Sequence, residues 1–121
     1  MKVKIDTKEK FDVLTLQEPI LYANMTEELN QLLLSFLQKD KKSVVLKFTE
    51  VNEIDELAAK SLVNIQQDFY ANNTSFVICE IKTPVKEYLN KLNLFEMMNT
   101  TLTESEAGDI VQMEEIEREL M

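Results

Sequence analysis

From its first residues the chain alternates. Val3 and Ile5 sit between Lys2, Lys4 and Asp6, the two-residue period of a half-covered strand. After the polar break Thr7-Lys8-Glu9-Lys10, the run Phe11-Asp12-Val13-Leu14-Thr15-Leu16 resumes it. So short a break predicts an antiparallel hairpin, with strands near residues 2–6 and 11–16. Gln17-Glu18-Pro19 ends the second strand, because proline has no N–H to give a ladder. The period then changes. Leu29, Leu32, Leu33, Phe36 and Leu37 fall at i, i+3, i+4, i+7 and i+8, one apolar stripe of a helix near residues 25–39. Asn24 with Glu27 reads as its capping box, and Asp40-Lys41-Lys42-Ser43 as its end.

Val44-Val45-Leu46-Lys47-Phe48 is a short, β-branched run and predicts a buried strand. Residues 49–56 read as a polar loop, in which Asp55 caps a helix near 56–71. The inward stripe of that helix is Ala58, Leu62, Ile65 and Phe69, and Ala71-Asn72-Asn73-Thr74 stops it. Phe76-Val77-Ile78-Cys79 opens a strand near 76–81, continuous enough to be parallel and covered on both faces. Thr83-Pro84 predicts the start of a third helix, with the hydroxyl as cap and proline at the first helical position. Val85, Leu89 and Leu92 line it over residues 84–92. Thr100-Thr101-Leu102 is read as a short strand, and Thr103 with Glu106 as a capping box for a last helix over 104–119. Apolar positions there are Ile110, Met113, Ile116 and Leu120. The order ββαβαβα(β)α implies an α/β fold. Residues 1–121 read as a single domain with about four helices. Its central sheet has four to five strands and is mostly parallel, with an antiparallel N-terminal edge hairpin.

Composition narrows the chemistry. The 121 residues contain no histidine, one cysteine and one glycine. Without histidine there is no Ser-His-Asp triad and no His-bound metal; with one glycine there is no phosphate-cradling loop of the usual kind. No enzymatic activity, cofactor or metal is therefore expected. The net charge of −9 argues against nucleic acid as a partner. No apolar leader segment follows the start and no apolar run approaches membrane-spanning length, so a cytoplasmic chain without membrane insertion is expected. Cys79, inside its apolar run, is expected to be a buried, reduced thiol. Charge is concentrated at one end: residues 103–121 hold seven acids against Arg118, a net of −6. That segment reads either as the solvated face of a terminal helix or as a docking element for a basic partner.

The layout resembles the STAS domain, the fold of bacterial anti-sigma factor antagonists, and three stretches carry the resemblance. Val44-Val45-Leu46-Lys47-Phe48-Thr49-Glu50-Val51-Asn52-Glu53-Ile54-Asp55 is similar to the family's strand and loop, "vvlDlsgvtfiD". Phe76-Val77-Ile78-Cys79 followed by Thr83-Pro84-Val85-Lys86-Glu87-Tyr88-Leu89 is similar to its fourth strand and third helix. Leu92-Asn93-Leu94-Phe95-Glu96 is similar to the element that follows. The resemblance implies a non-enzymatic protein-interaction domain in a bacterial regulatory system, with a kinase-like anti-sigma factor as partner. A structural STAS subunit of a lipid or anion transporter assembly is the alternative. Family antagonists carry Asp-Ser-Ser-Gly or Asp-Ser/Thr-x-Gly at the start of the second helix, and a partner kinase phosphorylates the hydroxyl there. This chain has Asp55-Glu56-Leu57-Ala58. Neither Glu56 nor Leu57 can accept a phosphoryl group, so the resemblance implies the surface without the switch.

Asp55, Glu56, Leu57 and Ala58 are accordingly the candidate partner-binding residues. Each also has a plainer reading. Asp55 is a good N-cap. Glu56 places fixed negative charge where phosphorylation would add it, but an acid also suits the first turn of any helix. Leu57 falls off the buried stripe at 100° per residue, either folded under the loop or exposed as an interface anchor. Glu50, Glu53, Asp55 and Glu56 cluster four carboxylates, yet in no calcium-loop spacing. Self-association as a homodimer stays open.

Overall fold

A computed structural model describes residues 1–39 and 42–120. Asp40 and Lys41, where the sequence places the end of the first helix, lie outside the described residues. The elements are β1 (Val3–Thr7), β2 (Phe11–Leu16), β3 (Ile20–Leu21), α1 (Thr26–Lys39), β4 (Ser43–Lys47), β5 (Glu53–Ile54), α2 (Glu56–Ala71), β6 (Phe76–Cys79), α3 (Thr83–Lys91), β7 (Thr100–Thr101) and α4 (Glu104–Glu119). A five-stranded sheet runs β1-β2-β4-β6-β7. β1 pairs antiparallel with β2, and every other pairing in it is parallel.

The two-residue period of the strands divides the core into two layers. Val44, Leu46, Phe76 and Ile78 join the larger cluster, with Leu29, Leu33 and Leu37 of α1, Leu62 and Phe69 of α2, and Val85 and Leu89 of α3. Val45, Val77 and Cys79 point to the opposite face and meet Ala107 and Val111 of α4. Every member of the predicted α2 stripe is buried, and Ala59 and Val63 widen it. Asn73 and Asn93, both with left-handed φ, close α2 and α3, as short polar side chains can at a helix end.

Three local readings need correction. Asn24 does not stand at a helix cap: it lies within a 3-10 turn, Ala23–Met25, that leads into α1, and the N–H of Ala23 is taken by Asp55 from across the chain. Thr83 is the first residue of α3 rather than its cap; Lys82 stands at the cap position, and its side chain makes no capping bond. The loop over residues 49–56 contains β5, which pairs in parallel with β3. In α4 the inner face is Ala107, Gly108 and Val111, whereas the apolar positions Met113, Ile116 and Leu120 are exposed. The reason lies beneath Gly108. A Cβ there would come within 2.9 Å of Phe11 Cζ, so α4 rests on the sheet through its smallest residues.

Cys79 is fully buried in β6, and burial pushes its thiol pKa up to about 12. Burial and a hydrogen bond to Glu114 push Tyr70 up to about 12 as well. Both groups hold their protons more tightly folded than unfolded. Their stabilisation is therefore complete below the unfolded pKa values and is lost as pH rises toward the folded ones. The urea midpoint is expected to fall between about pH 9 and about pH 11, with a shallower fall in Cys79→Ala. A thiol reagent at neutral pH should label the native protein far more slowly than the denatured one. Equal rates would contradict this placement of Cys79.

Candidate functional site

The predicted surface lies where β5 runs into α2. Asp55 has extended backbone and caps α2 through its side chain, whose Oδ1 accepts the N–H of Ala58 at 2.9 Å. Its Oδ2 accepts the N–H of Ala23 at 2.8 Å, so one carboxylate ties the start of α2 to the approach to α1. Backbone pairing of Asp55 N–H with Leu21 O at 3.2 Å completes the knot. One cap of this kind contributes about 1 kcal/mol, and here one side chain makes two such bonds. Asp55 thus does the structural work its plainer reading assigns it, and it does so at the candidate surface.

Leu57 is 64% exposed, whereas Ala58 is 1% exposed. Ala58 lies under the surface and contributes its N–H to the cap. Glu56 pairs with Lys60 one turn on, at 2.7 Å; both side chains are about half exposed, and such a pair contributes little. The carboxylates clustered in the sequence are drawn apart: Glu53 accepts the hydroxyl of Tyr22, Asp55 is used by the caps, and Glu56 faces Lys60. Among the described residues no group of three or more potential ligands converges as a metal would need. Ser61, the nearest hydroxyl along α2, is half-buried and donates to Asn30 Oδ1 at 2.9 Å.

At Asp55 the structure shows a cleft of about 460 Å³, with Tyr22, Glu53, Pro84 and Tyr88 also among its walls. The hydrogen bond to Glu53 raises the pKa of the Tyr22 hydroxyl. Lys82 donates to Asn52 Oδ1 at 2.7 Å along the same rim. Sequence reading reached Asp55 and missed Tyr22 and Tyr88. They come from segments 66 positions apart in the chain, and β5 joins them, paired with β3 beside Tyr22 and packed against α3, which carries Tyr88. The apolar pair Ile20-Leu21 after Pro19 was the one available signal for that pairing.

The sequence pattern of the STAS domain matches residues 2–107. No curated protein matches the chain. Among solved structures, the Thermotoga maritima protein TM1081 superposes with a TM-score of 0.78 at 20% identity, covering 89% of this chain and 86% of that one. A Moorella thermoacetica RsbS carrying a serine-to-glutamate substitution gives 0.75 at 19% identity, covering 93% and 96%. Murine Slc26a9, an anion transporter, gives 0.72 at 16% identity over 85% of this chain, which spans 18% of the transporter. At such identities the likeness is one of fold. With the family pattern covering most of the sequence, on the sheet order and the β5–α2 junction just described, this chain belongs to the STAS domain family.

Proposed function

We propose that this STAS domain is a non-enzymatic, cytoplasmic protein-binding domain of a bacterial regulatory system. It docks through the start of α2, with Leu57 as the anchor, Asp55 and Glu56 beside it, and Ala58 supporting it from beneath. The exposure of Leu57 at the position where family antagonists carry their hydroxyl is the observation that carries the reading. A leucine left in water at a helix start has the form of an interface anchor. The partner class is a kinase-like anti-sigma factor, recognised without phosphoryl transfer at Glu56 or Leu57. No cofactor enters this reading. The fold likeness to Slc26a9 favours a second reading, a STAS subunit of a transporter assembly. A permease gene beside this one, rather than a kinase or phosphatase gene, would select it.

Leu57→Asp tests the first reading. The side chain lies off the core, and an acid suits the first helical turn, so the urea midpoint should stay within about 0.5 kcal/mol of wild type. At an interface the same carboxylate would be buried and unpaired, at a cost of several kcal/mol. Affinity capture with mass spectrometry on wild type and variant should therefore show a partner with the first and none with the second. Equal capture by a folded Leu57→Asp removes this surface from the function.

A further inference from the structure

α4 carries its large apolar side chains on the wrong side for a core helix. Ala107, Gly108 and Val111 face the sheet. Met113 is 59%, Ile116 56% and Leu120 82% exposed. At 100° per residue these three lie within about 60° of one another, about 170° from the buried face. Polar bonds on the inner side hold the helix in this rotation. Glu104 pairs with Lys47 at 3.0 Å, the Tyr70 hydroxyl donates to Glu114 at 2.7 Å, and Arg118 donates to Ser75 Oγ at 2.7 Å. Arg118 is the sole base of residues 103–121, and it is spent inward. What surrounds the outward stripe is acidic: Glu106, Asp109, Glu117 and Glu119 are all exposed. Lys10 of the β1–β2 turn borders Ile116, but from a groove it shares with Glu9, Glu115 and Glu119.

We infer that the outward face of α4 is a second docking surface, and that its occupant is a cationic amphipathic helix of another protein. Charge complementarity selects the occupant. A second copy of this chain would set one acidic rim against another, whereas a helix with apolar residues at i, i+3 and i+7 flanked by Lys or Arg answers both stripe and rim. The family pattern ends at residue 107, before Met113, so this face belongs to a part of the chain outside that pattern. It is also independent of the Leu57 surface.

The test uses the full chain, ¹⁵N-labelled, and two synthetic peptides of the same amphipathic pattern, one of leucine and lysine and one of leucine and glutamate. The Leu/Lys peptide should shift amides within residues 109–120, and the Leu/Glu peptide should not. Met113→Gln with Ile116→Gln should weaken Leu/Lys binding at least tenfold. Its urea midpoint should match wild type, since both side chains are already in water. Shifts that map elsewhere, equal binding of the two peptides, or undiminished binding by the folded double variant would overturn the inference. So would sedimentation showing a wild-type dimer that the double variant disperses, because the occupant would then be a second copy.

Discussion

Phe69→Ala is expected to lower stability by about 3–5 kcal/mol, read from the urea midpoint. The ring is fully buried at the α2–sheet contact and stands 5.1 Å, centroid to centroid, from Phe76 of β6 at 44°. A tilted pair at that distance adds about 0.5–1.5 kcal/mol beyond the area it hides. Truncation therefore removes the transfer term, the ring pair, and the contacts around a hole that fixed secondary structure on both sides prevents from closing. Since small domains hold about 5–15 kcal/mol in all, the variant should remain folded at low temperature but near its limit. A loss under about 1 kcal/mol would mean that α2 does not pack on β6 through this ring.

Phe69 also shows which parts of the fold are legible in a sequence. Its stripe partners Ala58, Leu62 and Ile65 recur at helical spacing over about three turns, so their burial reads directly from periodicity, and all four are buried. The alternation of Val44, Val45 and Leu46 between two core layers reads in the same way. β3 and β5 do not, because two residues have no period, and their pairing depends on a crossover that only tertiary structure supplies. α4 misleads for a different reason. Periodicity records where large apolar residues recur, not which face the neighbouring elements leave room for. Phe11 under Gly108 admits only small residues, so Ala107 and Gly108, which carry almost no hydropathic signal, form the buried face.

At the candidate site the division is similar. Asp55 is legible because capping is local chemistry: a carboxylate followed by a helical run, with the N–H of Ala58 in reach. Its second bond, to Ala23, is not legible, and neither are the tyrosines of the cleft. That second bond changes the meaning of the residue. Because Asp55 fastens α1's approach to α2's start, a variant at Asp55 would perturb fold and surface together. Leu57, which touches neither bond, is the position at which binding separates from folding.

The same substitution five residues along should have the opposite outcome. Leu62 is 1% exposed, turned about 140° round the helix from Leu57, in the layer that α2 shares with β4 and β6. Leu62→Asp forfeits about 1.5–3 kcal/mol of apolar burial and places a carboxylate among Leu, Val and Phe side chains with no cation beside it. Either the charge stays, at a cost of several kcal/mol, or it takes up a proton and remains a polar group without a partner. Both routes approach or exceed the lower end of a domain's total stability. Leu62→Asp should therefore show no cooperative urea transition at neutral pH and no dispersed amide spectrum, where Leu57→Asp shows both. A cooperative, native-like Leu62→Asp would mean that α2 can rotate away from the sheet, and Leu57 would then no longer be fixed outward for a partner.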